Sequence, residues 1–225
     1  LLIVPLLIWL LEETLTGFKW IGSTLANLHG QPVPDQPGKT YRGVFCYEEA
    51  IGFCCGNVIF FKYWILVAAV LAQLACQVYN EGRTLQDQLQ SLYDKYGEFV
   101  SNNGYYIVSD TSLAEPLLES LKGITKAGTY EIASARHLGK NGYDTTQPDG
   151  KPKLPCGSPI LTLSFVNGCV AHFRASGTEP KFKYYIELRG QPGVTRSDVQ
   201  RELNVMSPII LQELLRPETN GLLRR

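Results

Sequence analysis

Apolar and polar positions alternate with a period of two in three late stretches, ILTLSF (160–165), CVAHFR (169–174) and FKYYIEL (182–188). A strand sends successive side chains to opposite faces, so each run predicts a half-buried β-strand. In the third, Phe182, Tyr184, Ile186 and Leu188 face one way, and Lys183, Tyr185 and Glu187 face the other. Asn167-Gly168, between the first two runs, predicts a type I′ hairpin. YYIVS (105–109) predicts another short strand. A helical period appears at 84–96, where Leu85, Leu89, Leu92, Tyr93 and Tyr96 share one face. Thr84 is placed to cap that helix and Gly97 to close it. Residues 112–122 predict a helix with a capping box from Ser112 and Glu115, ended by Gly123. A last helix starts near Ser197, with Gln200 completing its cap. Its stripe is Val199, Leu203, Met206, Ile210 and Leu214, and Pro208 is expected to kink it.

The first hundred residues are patterned less regularly. LLIVPLLIWLL (1–11) has the apolar character of a signal-peptide core, without a basic lead-in or a small-residue cleavage site, and is too short to span a bilayer as a helix. Residues 58–79 are mostly apolar, interrupted by Lys62, Gln73 and Gln77. That length suits a membrane span. With its alanines it equally suits a buried helix of an α/β domain, and attachment to a membrane is not expected. Residues 30–43 and 139–158 are loops rich in Gly and Pro. The expectation is an α/β remnant over 1–100 followed by a small α+β domain over 101–225.

Composition narrows the function classes. The chain has 225 residues, of which 44% are apolar and 19% charged, which is globular rather than disordered. Lys+Arg and Asp+Glu both number 21, so no basic excess points to nucleic acid. A small anion must be held by a local cluster of cations. The six cysteines form no C-x-x-C pair and have no histidine at zinc-ligand spacing. They read as small buried apolar residues in a reducing, cytoplasmic setting. His29, His137 and His172 read as structural.

One segment concentrates candidate chemistry, RASGTEPKFKYY (174–185). Arg174 can grip two phosphate oxygens through its planar fork. Ser176 and Thr178 offer hydroxyls, Gly177 lets the backbone bend, and Lys181 and Lys183 add charge. The spacing of a Walker loop is absent. On these residues alone, a phosphate cradle and a plain polar turn both remain open.

This segment resembles the phosphate-binding loop of the α-D-phosphohexomutases, and within them that of the phosphoglucomutase-2 and phosphopentomutase branch. Two further segments agree in order. ETLTGFKWIG (13–22) resembles the family's loop that helps choose the sugar orientation, and CYEEAIGFCCG (46–56) resembles its sugar-binding loop. GYD (142–144) followed by QPDGK is similar to the same branch. The resemblance covers roughly residues 12–57 and 84–215. It implies part of the family's third domain over 1–100. Over 101–225 it implies the fourth domain, an antiparallel sheet with helices on one face, TATA-box-binding-protein-like. Arg174, Ser176, Gly177, Thr178 and Lys183 match the positions that hold the substrate's phosphate. Glu48 matches the carboxylate that accepts hydrogen bonds from sugar hydroxyls, as an acceptor-only group can. Thr16 and Gly17 match the loop that tells two sugar orientations apart, and Lys62 matches a lysine that contacts substrate. Two stretches depart from the pattern. NVIFFKYWIL (57–66) replaces a polar turn, and LLIVPLLIWL (1–10) replaces an ordinary strand and its polar lead-in.

The implied activity is that of an intramolecular phosphotransferase acting on sugar phosphates. It interconverts a sugar 1-phosphate with a 6- or 5-phosphate through a bisphosphorylated intermediate, using a phosphoserine, Mg²⁺ and a sugar bisphosphate activator. The serine loop of T-x-S-H-N-P type and the D-x-D-x-D metal loop occur nowhere in these 225 residues. No catalytic or metal-binding residue is therefore expected in this chain, which by itself is expected to be inactive. The alternatives are a non-catalytic sugar-phosphate-binding module and a portion of a glucose-1,6-bisphosphate synthase.

Overall fold

The computed structural model describes residues 10–48, 52–56, 60–177 and 179–223. Its contacts divide the chain into two compact units, Leu1–Leu85 and Gln86–Arg225.

In the first unit, helix α1 (Phe18–Leu28) is followed by strands β1 (Phe45–Glu48) and β2 (Gly52–Cys55) and by helix α2 (Trp64–Asn80). The strands pair antiparallel, with Cys46 opposite Cys54 and Glu48 opposite Gly52. So few residues join them that a parallel crossover, which needs a dozen or more, is excluded. The described part of this unit is therefore two helices with an antiparallel hairpin, not the α/β arrangement expected. Its small core is Phe18, Leu25 and Cys54, with Ile21, Cys46 and Phe60 packed against it. Helix α2 buries only Val78, and Trp64, Ile65 and Leu71 are more than half exposed. The buried-helix expectation for this stretch is not met, because little among the described residues packs along the helix. Among the described residues no single helix is long and apolar enough to cross a membrane.

The second unit opens with helix α3 (Leu85–Tyr96). It continues through β3 (Phe99–Ile107), a 3₁₀ turn (Thr111–Leu113), α4 (Ala114–Ser120), β4 (Lys126–Ala127), β5 (Tyr130–His137) and β6 (Tyr143–Asp144). Strands β7 (Ile160–Phe165), β8 (Cys169–Ala175) and β9 (Lys181–Arg189) follow, then α5 (Arg196–Ile210) and a π-helical turn (Leu211–Leu215). Seven strands form one sheet in the order β3-β9-β8-β7-β5-β4, with β6 beside β5, and every pairing is antiparallel. One face is apolar. Leu161, Leu163, Ala171, Phe173, Phe182 and Ile186 are buried against Leu118 of α4 and Leu203, Met206 and Ile210 of α5. The helices thus lie on one face of the sheet. The other face carries Thr162, His172, Arg174, Lys183 and Tyr185, all partly exposed. The alternation of β9 and the stripe of α5 are as the sequence predicts.

Several local expectations change. The β7–β8 hairpin is not type I′, because Asn167 has negative φ. Gly168 N–H donates to Phe165 O at 3.1 Å and Gly168 has φ of 87°, which is a type I turn closed by a left-handed glycine. Helix α4 has Leu113 at its N-cap and no side-chain cap, so Ser112 does not cap it; Asp110 Oδ1 instead accepts from Ser112 N–H at 2.8 Å in the preceding 3₁₀ turn. Helix α5 is capped by Thr195, whose side chain accepts from Asp198 N–H at 3.3 Å, and Gln200 has no part in the cap. The helix runs through Pro208 and widens into the π turn after Ile210. Strand β3 begins at Phe99, because Phe99 to Ile107 pair in register with Arg189 to Lys181. Arg189 also donates to Tyr96 O at 2.9 Å, tying the end of α3 to this unit. The end of α3 and the start of β3 therefore pack with the second unit. Cys76 and Cys156 are exposed, unlike the buried Cys54 and Cys169, so burial does not account for all six cysteines.

Candidate functional site

In the second unit the site grows out of strand alternation. Phe173 and Ala171 point into the core, which places Arg174 and His172 on the open face. Arg174 lies directly opposite Lys183 of β9. Its guanidinium stands 5.9 Å from the Tyr185 ring centre, which holds the fork against a rigid surface. Ser176 N–H donates to Lys181 O at 2.8 Å and closes the loop between β8 and β9. Ser176 is buried and Gly177 is exposed. Gly177 is not needed for the bend, since its φ is not in the left-handed region. Its lack of a side chain leaves the backbone uncovered, and no atom lies within 4 Å of where a Cβ would stand. Thr178 lies outside the described residues. Lys181 Nζ donates to Glu179 Oε1 at 2.7 Å and stands 4.4 Å from the Tyr105 ring centre. Lys183 Nζ lies 3.6 Å from Glu179 Oε2. The hydrogen bond from Lys181, with the charges of both lysines, holds the Glu179 carboxyl below the usual carboxylate range. One strand step back, Thr162 Oγ1 and His172 Nδ1 are 2.9 Å apart, so His172 is a hydrogen-bonded strand residue as read.

In the first unit three separated sequence segments converge on Glu48. Gly17 N–H, at the N-terminal end of α1, donates to Glu48 Oε2 at 3.0 Å. Lys62 forms an ion pair with Glu48 Oε1. The Lys62 ammonium also stands 5.7 Å from the ring centre of Phe18. A side chain on Gly52 would press on this pair, its Cβ falling 2.7 Å from Lys62 Cε and 3.0 Å from Glu48 Cγ. Gly17, Glu48 and Lys62 are thus brought together, whereas Thr16 is exposed. Residues 49–51, which follow Glu48, lie outside the described residues.

Glu179 carries no role in the sequence reading, although it is the acidic member of the loop. The available signal was its position two residues before Lys181 and four before Lys183. Among the described residues, no group of three or more His, Cys, Asp or Glu is arranged to hold a metal ion.

No family model matches the chain. Over 95% of its length it is 35% identical to glucose 1,6-bisphosphate synthase of Homo sapiens, of which it covers 35%. It is 36% identical over 94% of its length to phosphopentomutase of Homo sapiens, again covering 35% of that protein. In structure, 79% of the chain aligns with 31% of pp63/parafusin, a phosphoglucomutase from Paramecium in its open form, with a TM-score of 0.54 at 17% identity. The chain therefore spans about a third of the length of the curated relatives it matches. The loops at Gly17, Glu48 and Arg174 fall within that matched stretch, and the α+β sheet agrees with the structural alignment. The chain belongs to the α-D-phosphohexomutase family, in the branch that contains phosphopentomutase and glucose 1,6-bisphosphate synthase.

Proposed function

We propose that this chain is the sugar-phosphate-binding portion of an intramolecular phosphotransferase that interconverts a sugar 1-phosphate with its 5- or 6-phosphate through a bisphosphorylated intermediate. In this reading 101–225 is the family's TATA-box-binding-protein-like fourth domain and 1–100 part of its third. The observation that carries the proposal is the cross-strand pair Arg174 and Lys183 beside a loop closed by Ser176 N–H and Lys181 O. Two cations opposite each other on neighbouring strands repel, and the single exposed carboxylate of Glu179 offsets this only in part, which suits the site to an anion. Arg174 holds two phosphate oxygens, Lys183 adds a point charge, and the Ser176 hydroxyl with the bare backbone at Gly177 completes the cradle. Thr178 is assigned to the same cradle by its place in the motif.

Glu48 takes sugar hydroxyls. Each carboxylate oxygen has about two lone-pair sites. Among the described residues Gly17 N–H and Lys62 use one on each oxygen, leaving an acceptor position on both. Lys62 and Gly17 orient the carboxylate, and Thr16 is assigned to the same loop by its place in the motif. In the family Mg²⁺ supplies charge stabilisation for phosphoryl transfer. The D-x-D-x-D metal loop does not occur in the sequence, so no residue of this chain is assigned to the metal. The six free cysteines support a reducing, cytoplasmic setting. The likeness to glucose 1,6-bisphosphate synthase supports a second reading, in which the same loops serve a bisphosphate-forming enzyme.

The test is a titration of ribose 1-phosphate into the ¹⁵N-labelled chain. Amide shifts are expected to cluster on Ser176 to Lys183, Arg174→Ala to abolish them, and Ser176→Ala only to weaken them. An unchanged response in Arg174→Ala would make the loop a plain turn.

A further inference from the structure

The two lysines of the loop are held differently. Lys181 is engaged by the shorter ion pair with Glu179 at 2.7 Å and also by the Tyr105 ring at 4.4 Å. Lys183 makes the longer contact with Glu179, at 3.6 Å, and faces Arg174 across the strand pair. The Lys181, Lys183 and Glu179 side chains are 26%, 27% and 44% exposed, so a ligand in water reaches all three. Ion pairs this exposed are weak and exchange readily.

We propose that Glu179 is the resident counter-anion of the loop: an incoming phosphate group takes Lys183 from it, while Lys181 keeps Glu179 to one side. Lys181 is then a positioning residue and not a phosphate contact. The proposal rests on the reading of the loop as a phosphate site. Glu179 also sets the class of ligand. Arg174, Lys181 and Lys183 supply three positive charges, and Glu179 cancels one, leaving two. Two is the charge that balances a phosphate monoester dianion.

The experiment titrates inorganic phosphate into the full ¹⁵N-labelled chain at pH 7.5 and low salt, reading amide shifts in the loop. Shifts outside the loop report that each variant is folded. Glu179→Gln is expected to tighten phosphate roughly two- to fivefold, the range allowed by a surface ion pair. Lys181→Met is expected to weaken phosphate when Glu179 is present, by releasing the carboxylate onto Lys183. In the Glu179→Gln background the same substitution is expected to have no effect. Lys181→Arg should behave as the unaltered chain, and Lys183→Met should weaken phosphate in both backgrounds. If Lys181→Met weakens phosphate equally in both backgrounds, Lys181 is a direct contact and the proposal is overturned. Unchanged affinity in Glu179→Gln overturns it as well. A loop response that Arg174→Ala removes but Glu179→Gln leaves alone refutes only the role of Glu179. Absence of any loop response in the unaltered chain refutes the phosphate site itself, and this proposal with it.

Discussion

Gly17 and Glu48, 31 residues apart in the sequence, are joined by a 3.0 Å hydrogen bond from the Gly17 N–H to the Glu48 carboxylate. The donor belongs to the open N-terminal end of α1, where a negative charge is favoured by the helix dipole. Lys62 takes the other oxygen, and the Glu48 side chain is only 9% exposed. Removing the carboxylate leaves a donor and an ammonium without their acceptor. Glu48→Ala is expected to destabilise the first unit by about 1–3 kcal/mol. Glu48→Gln keeps an acceptor for Gly17 and is expected to cost less. Hydrogen exchange at the Gly17 amide checks this, with protection lost in the alanine variant and kept in the glutamine one.

The purified chain is expected to show no mutase turnover with ribose 1-phosphate or glucose 1-phosphate, even with Mg²⁺ and a sugar bisphosphate present. The family's transfer step needs a phosphoserine loop and a carboxylate metal loop, and neither motif occurs in the sequence. A coupled assay for the isomerised sugar phosphate decides the matter. Turnover at the rate of a full-length family member would show that other residues replace those loops.

Stability is expected to fall on mild acidification, through His137. Its side chain is fully buried, and neither ring nitrogen has a hydrogen-bond partner among the described residues. Burial holds it below the ordinary histidine value of 6.5, assisted by Lys122, while Glu115 and Glu119 pull the other way. The unfolded chain therefore binds this proton more readily than the folded one. The contribution is fully present above about pH 6.5 and declines as the pH drops below it. Thermal melts of the chain between pH 7.5 and 5.5 should slope downward. In His137→Leu the slope should flatten, since the carboxyls of Asp110, Glu179 and Asp198, all held below the usual range, act lower. An equal slope in both proteins would assign it elsewhere.

Gly97 is expected to tolerate no side chain. It follows α3 with φ of 89°, and its N–H donates to Tyr93 O at 2.8 Å. A Cβ there would collide with the Gly190 carbonyl oxygen. Left-handed strain and the clash together predict a loss of about 2–4 kcal/mol for Gly97→Ala. Urea denaturation of the second unit measures it. By contrast Gly82, also at positive φ but with open space around it, should lose only the strain on substitution.

The chain's own pattern determined the strands β7, β8 and β9 and the buried stripe of α5. Alternation along a strand and the 3.6-residue period of a helix depend only on backbone geometry, so Phe182, Ile186, Leu203 and Met206 could be assigned to the core from their spacing. It also fixed where the loop chemistry lies, because Arg174 to Lys183 are contiguous. Tertiary structure decided the rest. The start of β3 was hidden because Ser101, Asn102, Asn103 and Gly104 are poor strand formers, held extended by their pairing with β9. Nearby capping residues compete, and the chain's path chose Thr195 over Ser197 and left α4 without a side-chain cap. The exposure of α2 could not be read from its composition, since an apolar helix is buried only if something packs on it. The meeting of Gly17, Glu48 and Lys62, and the capture of Lys181 and Lys183 by Glu179, are contacts through space. Ion pairs and hydrogen bonds depend on distance after folding, and residue spacing along a chain does not encode that distance.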